Sequence, residues 1–424
     1  MNSYQNLSMS EQKAEYGAVR ARFEAFKSRG LKLNIARGVP SKEQLDLSQR
    51  VLTDLTAPED YFADGVDTRS YGLSDGLPCA KAFFAELASA PAENVIVGGN
   101  SSLNMMYDAV MRTMLFGIGG CEPLVKQGRL KWICVVPGYD RHFAICEQMG
   151  IEMVTVPMLA DGPDMDAVEE LVRDPQVKGI WCTPKYSNPD GTTYSDAVVR
   201  RMAGLKPAAR DFRVYWDNAY CIHDVYGEGD RLAPIYPLAV EQGNPDLVLQ
   251  FMSTSKISFP GAGVACLIAG PNDARDIRRL LAVQTICPDK TNQLRHVRYF
   301  RDAAFLKEHM KKHAEIVRPK FDAVLNALDA GLGGPDYVRW SRPKGGYFIC
   351  LWVMPGTARR VVELAAEGGV TLTDAGATWP LHRDPDDSVI RIAPTRPEVA
   401  EIAAAAELLC VAVRLAALEK LMGQ

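Results

Sequence analysis

Lys256 stands in the run Ser253-Thr254-Ser255-Lys256-Ile257-Ser258, directly after the apolar stretch LVLQFM. A lysine flanked by small hydroxyls just past a buried strand is desolvated, which lowers its amine toward a nucleophile. Four other apolar runs end in residues with chemistry of their own. NVIV leads into Gly98-Gly99-Asn100-Ser101-Ser102 at the start of a helical stretch. That is either an anion cradle on a helix N-terminus or a strand–turn–helix junction with a serine cap. KWICVV leads into Pro137-Gly138-Tyr139-Asp140-Arg141, whose aromatic either stacks on a planar ligand or packs at the rim. GIWCT leads into the turn-forming run Pro184-Lys185-Tyr186-Ser187-Asn188-Pro189-Asp190-Gly191. RVYW ends on Asp217, with Asn218-Ala219-Tyr220 close behind; a carboxylate there is costly unless a cation or a hydrogen-bond donor meets it.

These runs lie between residues 60 and 270, where short β-branched segments alternate with longer amphipathic ones. Leu103, Met106, Val110 and Met114 recur at helical spacing. The pattern predicts an α/β fold with a mostly parallel sheet covered on both faces, and ligands at the carboxyl ends of its strands. Residues 295–330 read as one long, charged amphipathic stretch. A strand pair around VRWSRPKGGYFICLWV, a helix from Thr357, a strand at SVIRIAP and a terminal helix rich in alanine and leucine follow as an α+β module. The first 50 residues carry a helix and then the turn-rich NIARGVPSKEQ, so two domains are expected.

A net charge of −4 excludes a generally basic, phosphate-coating protein, so nucleic acid is not an expected partner. No apolar run approaches the roughly 18–20 residues needed to span a bilayer, so neither is a membrane. The start, MNSYQNLSMSEQKAEYG, has no charged-then-apolar signal layout. The ten cysteines are scattered singly, which fits a reduced, cytoplasmic protein. The six histidines form no HExxH and no Cys/His cluster, so no metal site is expected.

Together the strand ends supply an anion cradle, a stacking aromatic, an amide, a carboxylate, a phenol and an amine. A planar phosphorylated cofactor with a ring nitrogen and an aldehyde uses all of them, and pyridoxal 5'-phosphate is such a molecule. The chain resembles a class I/II aminotransferase of the fold-type-I pyridoxal-phosphate enzymes, and more closely the MocR-like aspartate aminotransferase subgroup. The likeness is carried by GGNSSLNMMYD, VPGYDRHFAICE, PKYSNPDG, WDNAY, STSKISFPGAGVA, PDKTNQLRH, PKGGYFI and IRIAPT, spread over nearly the whole chain.

The resemblance implies a mostly parallel seven-stranded sheet in a large cofactor-binding domain, residues 50–310. Residues 1–49 and 311–424 are then the small α+β domain. It implies that Lys256 holds the cofactor's aldehyde carbon and later moves the substrate's Cα proton. Asp217 pairs with the ring nitrogen, Asn188 and Tyr220 hold the ring's phenolic oxygen, and Tyr139 stacks on the ring. Ser101, Ser102, Ser253 and Ser255 bind the phosphate. Tyr71, in RSYGLSDGLP, resembles a tyrosine that reaches the neighbouring subunit's phosphate, implying a homodimer with shared sites. Arg391 takes the substrate α-carboxylate, with backbone at Gly38 closing over it. On residue type alone, Tyr71 and Tyr139 are also compatible with core aromatics, Arg391 with a surface strand arginine and Gly345-Gly346 with a hairpin bend.

Two departures stand out. Where many relatives carry a phosphate-binding arginine, about eight residues after the lysine, this chain has Val264; and the turn reads Asn-Pro-Asp-Gly, with Asp190 expected to face solvent. For a substrate's second carboxylate, Lys290, Arg295, Arg37 and Arg141 are candidates that no spacing separates. The expected activity is ping-pong transfer of the amino group of an acidic amino acid, aspartate first, to 2-oxoglutarate. Alternatives are elimination, replacement or carbon–carbon chemistry with the same cofactor, and a ligand-sensing module without catalysis.

Overall fold

The apolar runs between residues 95 and 268 become the strands of one sheet in the computed structural model, which describes residues 4–334 and 336–423. Residues 1–3, 335 and 424, all within the expected small domain, lie outside the described residues. Across the sheet the strands run Val95–Val97, Ala265–Ile268, Val248–Ser253, Arg213–Asp217, Val177–Cys182, Lys131–Val136 and Glu152–Leu159. To these expected seven the structure adds Gly162–Pro163 as a two-residue strand at one edge. Only Ala265–Ile268 and that edge strand run antiparallel to their neighbours. Val177–Cys182 and Arg213–Asp217 are buried along their whole length, because helices cover both faces. Trp132, Trp181 and Tyr215 pack against one another on one side of the sheet, Trp181 edge to face with Tyr215, and Val198, Met202 and Phe212 fill the other.

The single stretch expected over 295–330 is two helices, Lys290–Phe300 and Ala303–Leu332. Arg301 between them adopts φ +60°, and the Asp302 side chain accepts the backbone N–H of Phe305 as a new N-cap. A capping aspartate inside an amphipathic run thus outweighs continuous periodicity.

The second unit holds an antiparallel sheet of Arg339–Trp340, Ile349–Trp352 and Val389–Ile392. Leu33–Asn34 pairs in parallel with Val370–Thr371, so the chain's early residues join its late ones. The helix Val399–Leu421 is buried on most of its circumference among Met9–Lys27, Ala303–Leu332 and Ala358–Glu367. The two units meet at a cluster of Tyr186, Tyr220, Tyr347 and Phe348. Gly345 lies against it so closely that a Cβ would stand 2.2 Å from the His223 carbonyl and 2.4 Å from the Tyr186 ring. The glycine pair is therefore a contact between units as well as a bend. Among the described residues no helix is long and apolar enough to cross a membrane.

Candidate active site

Five strands of the large sheet aim their carboxyl ends at one cavity of about 780 Å³, and residues around the two smaller sheets close its far side. Asp217, the last residue of its strand, is buried. One carboxylate oxygen, Oδ2, lies 3.1 Å from His142 Nε2, and that imidazole stacks on Trp181 with ring centroids 4.6 Å apart and planes at 12°. The other oxygen, Oδ1, is buried and has no hydrogen-bond partner. An orphaned charged acceptor costs several times the typical net worth of one hydrogen bond, so a ring N–H at that place fits the donor it lacks.

Lys256 follows the central strand Val248–Ser253 at the base of the cavity. Its Nζ stands 5.0 Å from the centroid of Tyr220 and 6.0 Å from that of Tyr347. Burial lowers its proton affinity, and the negative charge of Asp217 offsets part of that. A lowered proton affinity is what lets an amine act as nucleophile and base.

Tyr139 is half-buried on the cavity wall, edge-on to His142 at 4.9 Å, and desolvation by burial pushes its phenol up to about 12. Tyr220 and Asn188 are buried cavity residues. Burial raises the Tyr220 phenol as well.

At the opposite end lies the N-terminus of helix Ser102–Phe116. Ser101, Ser102, Ser253 and Ser255 all line the cavity there. Two of those hydroxyls already have local work. Ser101 Oγ caps the helix by accepting Asn104 N–H, and Ser255 Oγ donates to the Asn100 carbonyl at 2.9 Å, tying the two loops together. Ser102 and Ser253 hydroxyls make no hydrogen bond among the described residues. With the helix end they form a neutral anion cradle, and the buried Val264 contributes no charge to it.

Arg391 is buried on the small-unit wall. Its guanidinium donates to Asn188 Oδ1 at 3.2 Å, Thr373 Oγ1 at 3.2 and 3.3 Å and Asp140 Oδ1 at 3.0 Å, and it lies over the Phe348 ring. The fork is held in a fixed plane, suited to a carboxylate. Gly38 sits beside it; a Cβ there would be 2.7 Å from Phe348 and 3.3 Å from Tyr347, so only glycine lets the backbone approach this closely.

Several expectations change. Asp190 is buried rather than solvent-facing: Thr192 Oγ1 donates to it, its Oδ1 has no partner, and desolvation raises its carboxyl to about 6. Lys290 is withdrawn from the candidates for a second carboxylate. Its buried amine donates to the carbonyls of Ser70 and Gly72 at 2.6 and 2.8 Å, bracing the turn that carries Tyr71. Arg295 does not line the cavity, whereas Arg37 and Arg141 do, joined by Arg396, which no motif marked. Tyr71 is 79% exposed and outside this chain's cavity. Sequence reasoning missed the parts played by His142, Asp140 and Thr373. Thr373 left no trace, whereas Asp140 stood in the run that follows KWICVV and His142 lies one helical turn after Tyr139.

A family profile described as aspartate amino-transferase matches residues 7–424. The aspartate aminotransferase of Corynebacterium glutamicum is 45% identical over 403 residues, covering 95% of this chain and 93% of that protein. The crystal structure of an aspartate transaminase from the same organism superimposes with a TM-score of 0.96 at 43% identity, covering 99% of both chains. LysN, the alpha-aminoadipate aminotransferase of Thermus thermophilus, complexed with N-(5'-phosphopyridoxyl)-L-leucine, shares the fold, with a TM-score of 0.74 at 23% identity over 98% of this chain and 100% of that one.

Proposed function

The chain belongs to the aspartate aminotransferase family and is a pyridoxal-phosphate-dependent aminotransferase, and from that premise we propose that it moves the amino group of an acidic amino acid, L-aspartate first, to 2-oxoglutarate by a ping-pong cycle. The observation that carries the reading is the pairing, in one cavity, of a lysine of lowered proton affinity with a buried carboxylate oxygen that lacks a donor. Bound there, pyridoxal phosphate supplies the electron sink that acidifies the substrate's Cα–H bond.

The chain's own groups do the rest. Lys256 Nζ would hold the cofactor's aldehyde carbon and is placed to take and return the substrate's Cα proton. Asp217, held through Oδ2 by His142, would offer Oδ1 to the ring nitrogen. Tyr139 would pack on the ring, Asn188 and Tyr220 would hold its phenolic oxygen, and the helix end and serines would hold the phosphate. Arg391 takes the substrate α-carboxylate beneath Gly38, in exchange for its contact with Asp140. Arg37, Arg141 and Arg396 give the same cavity cations for a second carboxylate, which supports an acidic substrate.

A homodimer belongs to the same proposal, supported by the exposure of Tyr71, Val283 and Ile286. So does a reducing, cytoplasmic setting, supported by ten free thiols. The test is the visible spectrum of the cofactor-loaded protein. Loss of the absorbance band with aspartate or glutamate, and its return with oxaloacetate or 2-oxoglutarate, is the expected result. A band that responds only to another amino acid, or that gives no oxo acid, would overturn the substrate assignment and favour elimination or replacement.

A further inference from the structure

Five of the chain's six histidines are buried, and four of them, His223, His296, His309 and His313, pack behind the turn that carries Lys256. His223 Nε2 lies 3.4 Å from the Lys256 carbonyl, His309 Nε2 lies 3.2 Å from the Ile257 carbonyl, and His296 Nε2 lies 2.8 Å from Ser258 Oγ. Three consecutive residues of the turn are thus each met by a different imidazole. None of these side chains faces the cavity, so the reaction itself does not explain them.

Proton order in the network follows from one residue, Gln44. It is the N3 residue of the helix Lys42–Asp46, where its Oε1 accepts the Ser41 backbone N–H at 3.0 Å. Its amide nitrogen must therefore face inward, where it donates to Tyr347 Oη at 3.0 Å and His313 Nδ1 at 3.2 Å. Tyr347 then donates onward to the Lys256 carbonyl at 3.3 Å. His313, accepting at Nδ1, carries its proton on Nε2 and donates to His309 Nε2 at 3.1 Å. His309 Nε2 then has no proton to give, so the Ile257 carbonyl accepts instead from Ser48 Oγ at 3.2 Å. Burial holds His223 and His313 down to about 3, so the network stays neutral and its single proton order persists. Gln44 is 1% exposed and sits at the root of the path through Tyr347 to Lys256.

We propose that Gln44 and Tyr347, with Ser48, are positioning residues for Lys256: hydrogen bonds from the early segment to the carbonyls of Lys256 and Ile257 fix the turn that aims the amine into the cavity. The inference rests on the reading of Lys256 as the residue that holds the cofactor. It gives the early residues of the chain a role beyond supplying Gly38. The wall over the substrate and the clamp behind the lysine are one segment, Asn34 to Ser48.

The test compares Gln44→Leu, Tyr347→Phe and Ser41→Ala with wild type, all loaded with pyridoxal phosphate. Ser41→Ala removes the other half of the same helix cap and leaves the Gln44 amide in place, so it reports helix stability alone. Loosening the turn admits water and favours the charged form of the group titrating under the visible band. Gln44→Leu and Tyr347→Phe should therefore raise the pH midpoint of that band by about 0.5–1 unit and speed cofactor release roughly tenfold. They should lower kcat several-fold while KM for the amino acid stays within about twofold. Ser41→Ala should lower the melting temperature and leave midpoint and release unchanged. Tyr347→Phe loses only a hydroxyl and remains informative if Gln44→Leu does not fold. The proposal is overturned if Tyr347→Phe keeps the wild-type midpoint and release rate, or if Ser41→Ala moves them as far as Gln44→Leu does. A wild-type protein that gains no visible band with pyridoxal phosphate would instead remove the reading of Lys256 on which the proposal depends.

Discussion

The two walls of the cavity are built in different ways. On the sheet side Tyr139, Asn188, Asp217 and Lys256 each follow or end a strand, so neighbours in the ladder set their spacing. On the opposite side Gly38, Phe348, Thr373 and Arg391 come from around two small sheets, Leu33–Asn34 with Val370–Thr371 and Ile349–Trp352 with Val389–Ile392, joined to each other by packing and side-chain hydrogen bonds. A ladder holds groups at fixed distances whether or not ligand is present. An assembly of segments can grip a ligand and release it. The chemistry sits on the rigid wall and recognition on the assembled one, and kinetics can separate the two.

The largest expected effect is at Lys256. Replacing it with alanine should lower turnover by at least about 10⁴-fold and abolish the visible band, leaving the fold intact by circular dichroism. Near-normal turnover would reject the assignment of the rigid wall. Arg391→Ala should come next, raising KM for every amino acid together by roughly 100-fold, with Arg391→Lys recovering only part because the planar fork is lost. A loss confined to one substrate would place Arg391 in a side-chain pocket. His142→Phe keeps a ring on Trp181 and removes the contact to Asp217. It should lower kcat roughly tenfold with little change in KM; a change mainly in KM would blur the division of labour. The smallest expected effect is at Asp140, which occupies the Arg391 guanidinium in the structure. Asp140→Asn weakens that competition and should lower KM about two- to fivefold, whereas a rise would make Asp140 an orienting partner.

The rigid wall was legible in the sequence because strand order turns into position: an apolar run marks a buried strand, and the residue after it marks the cavity. Asp217 and Lys256 are legible in that way. The assembled wall carries no such local signal. Thr373 and Asp140 approach Arg391 from sequence distances of 18 and 251 residues, and Gln44 reaches His313 across 269. Asp190 shows the reverse failure. Its composition reads as an exposed turn, yet the fold buries the carboxylate with a raised proton affinity. The break at Arg301 was hidden because Asp302 also suits the polar face of a continuous helix.

The pairing of Leu33–Asn34 with Val370–Thr371 also bears on how the protein is made. On the ribosome, Gly38 emerges roughly 350 residues before Arg391, an interval of roughly 20–70 s at ordinary synthesis rates. The sheet that carries Lys256 can collapse during that interval, but its lid cannot. Until Val370–Thr371 is synthesised, the early segment has no partner edge and the lysine stands in an open trough. A nascent chain therefore presents a half-built site before it can select an amino acid, and it acquires selectivity only once Arg391 has emerged.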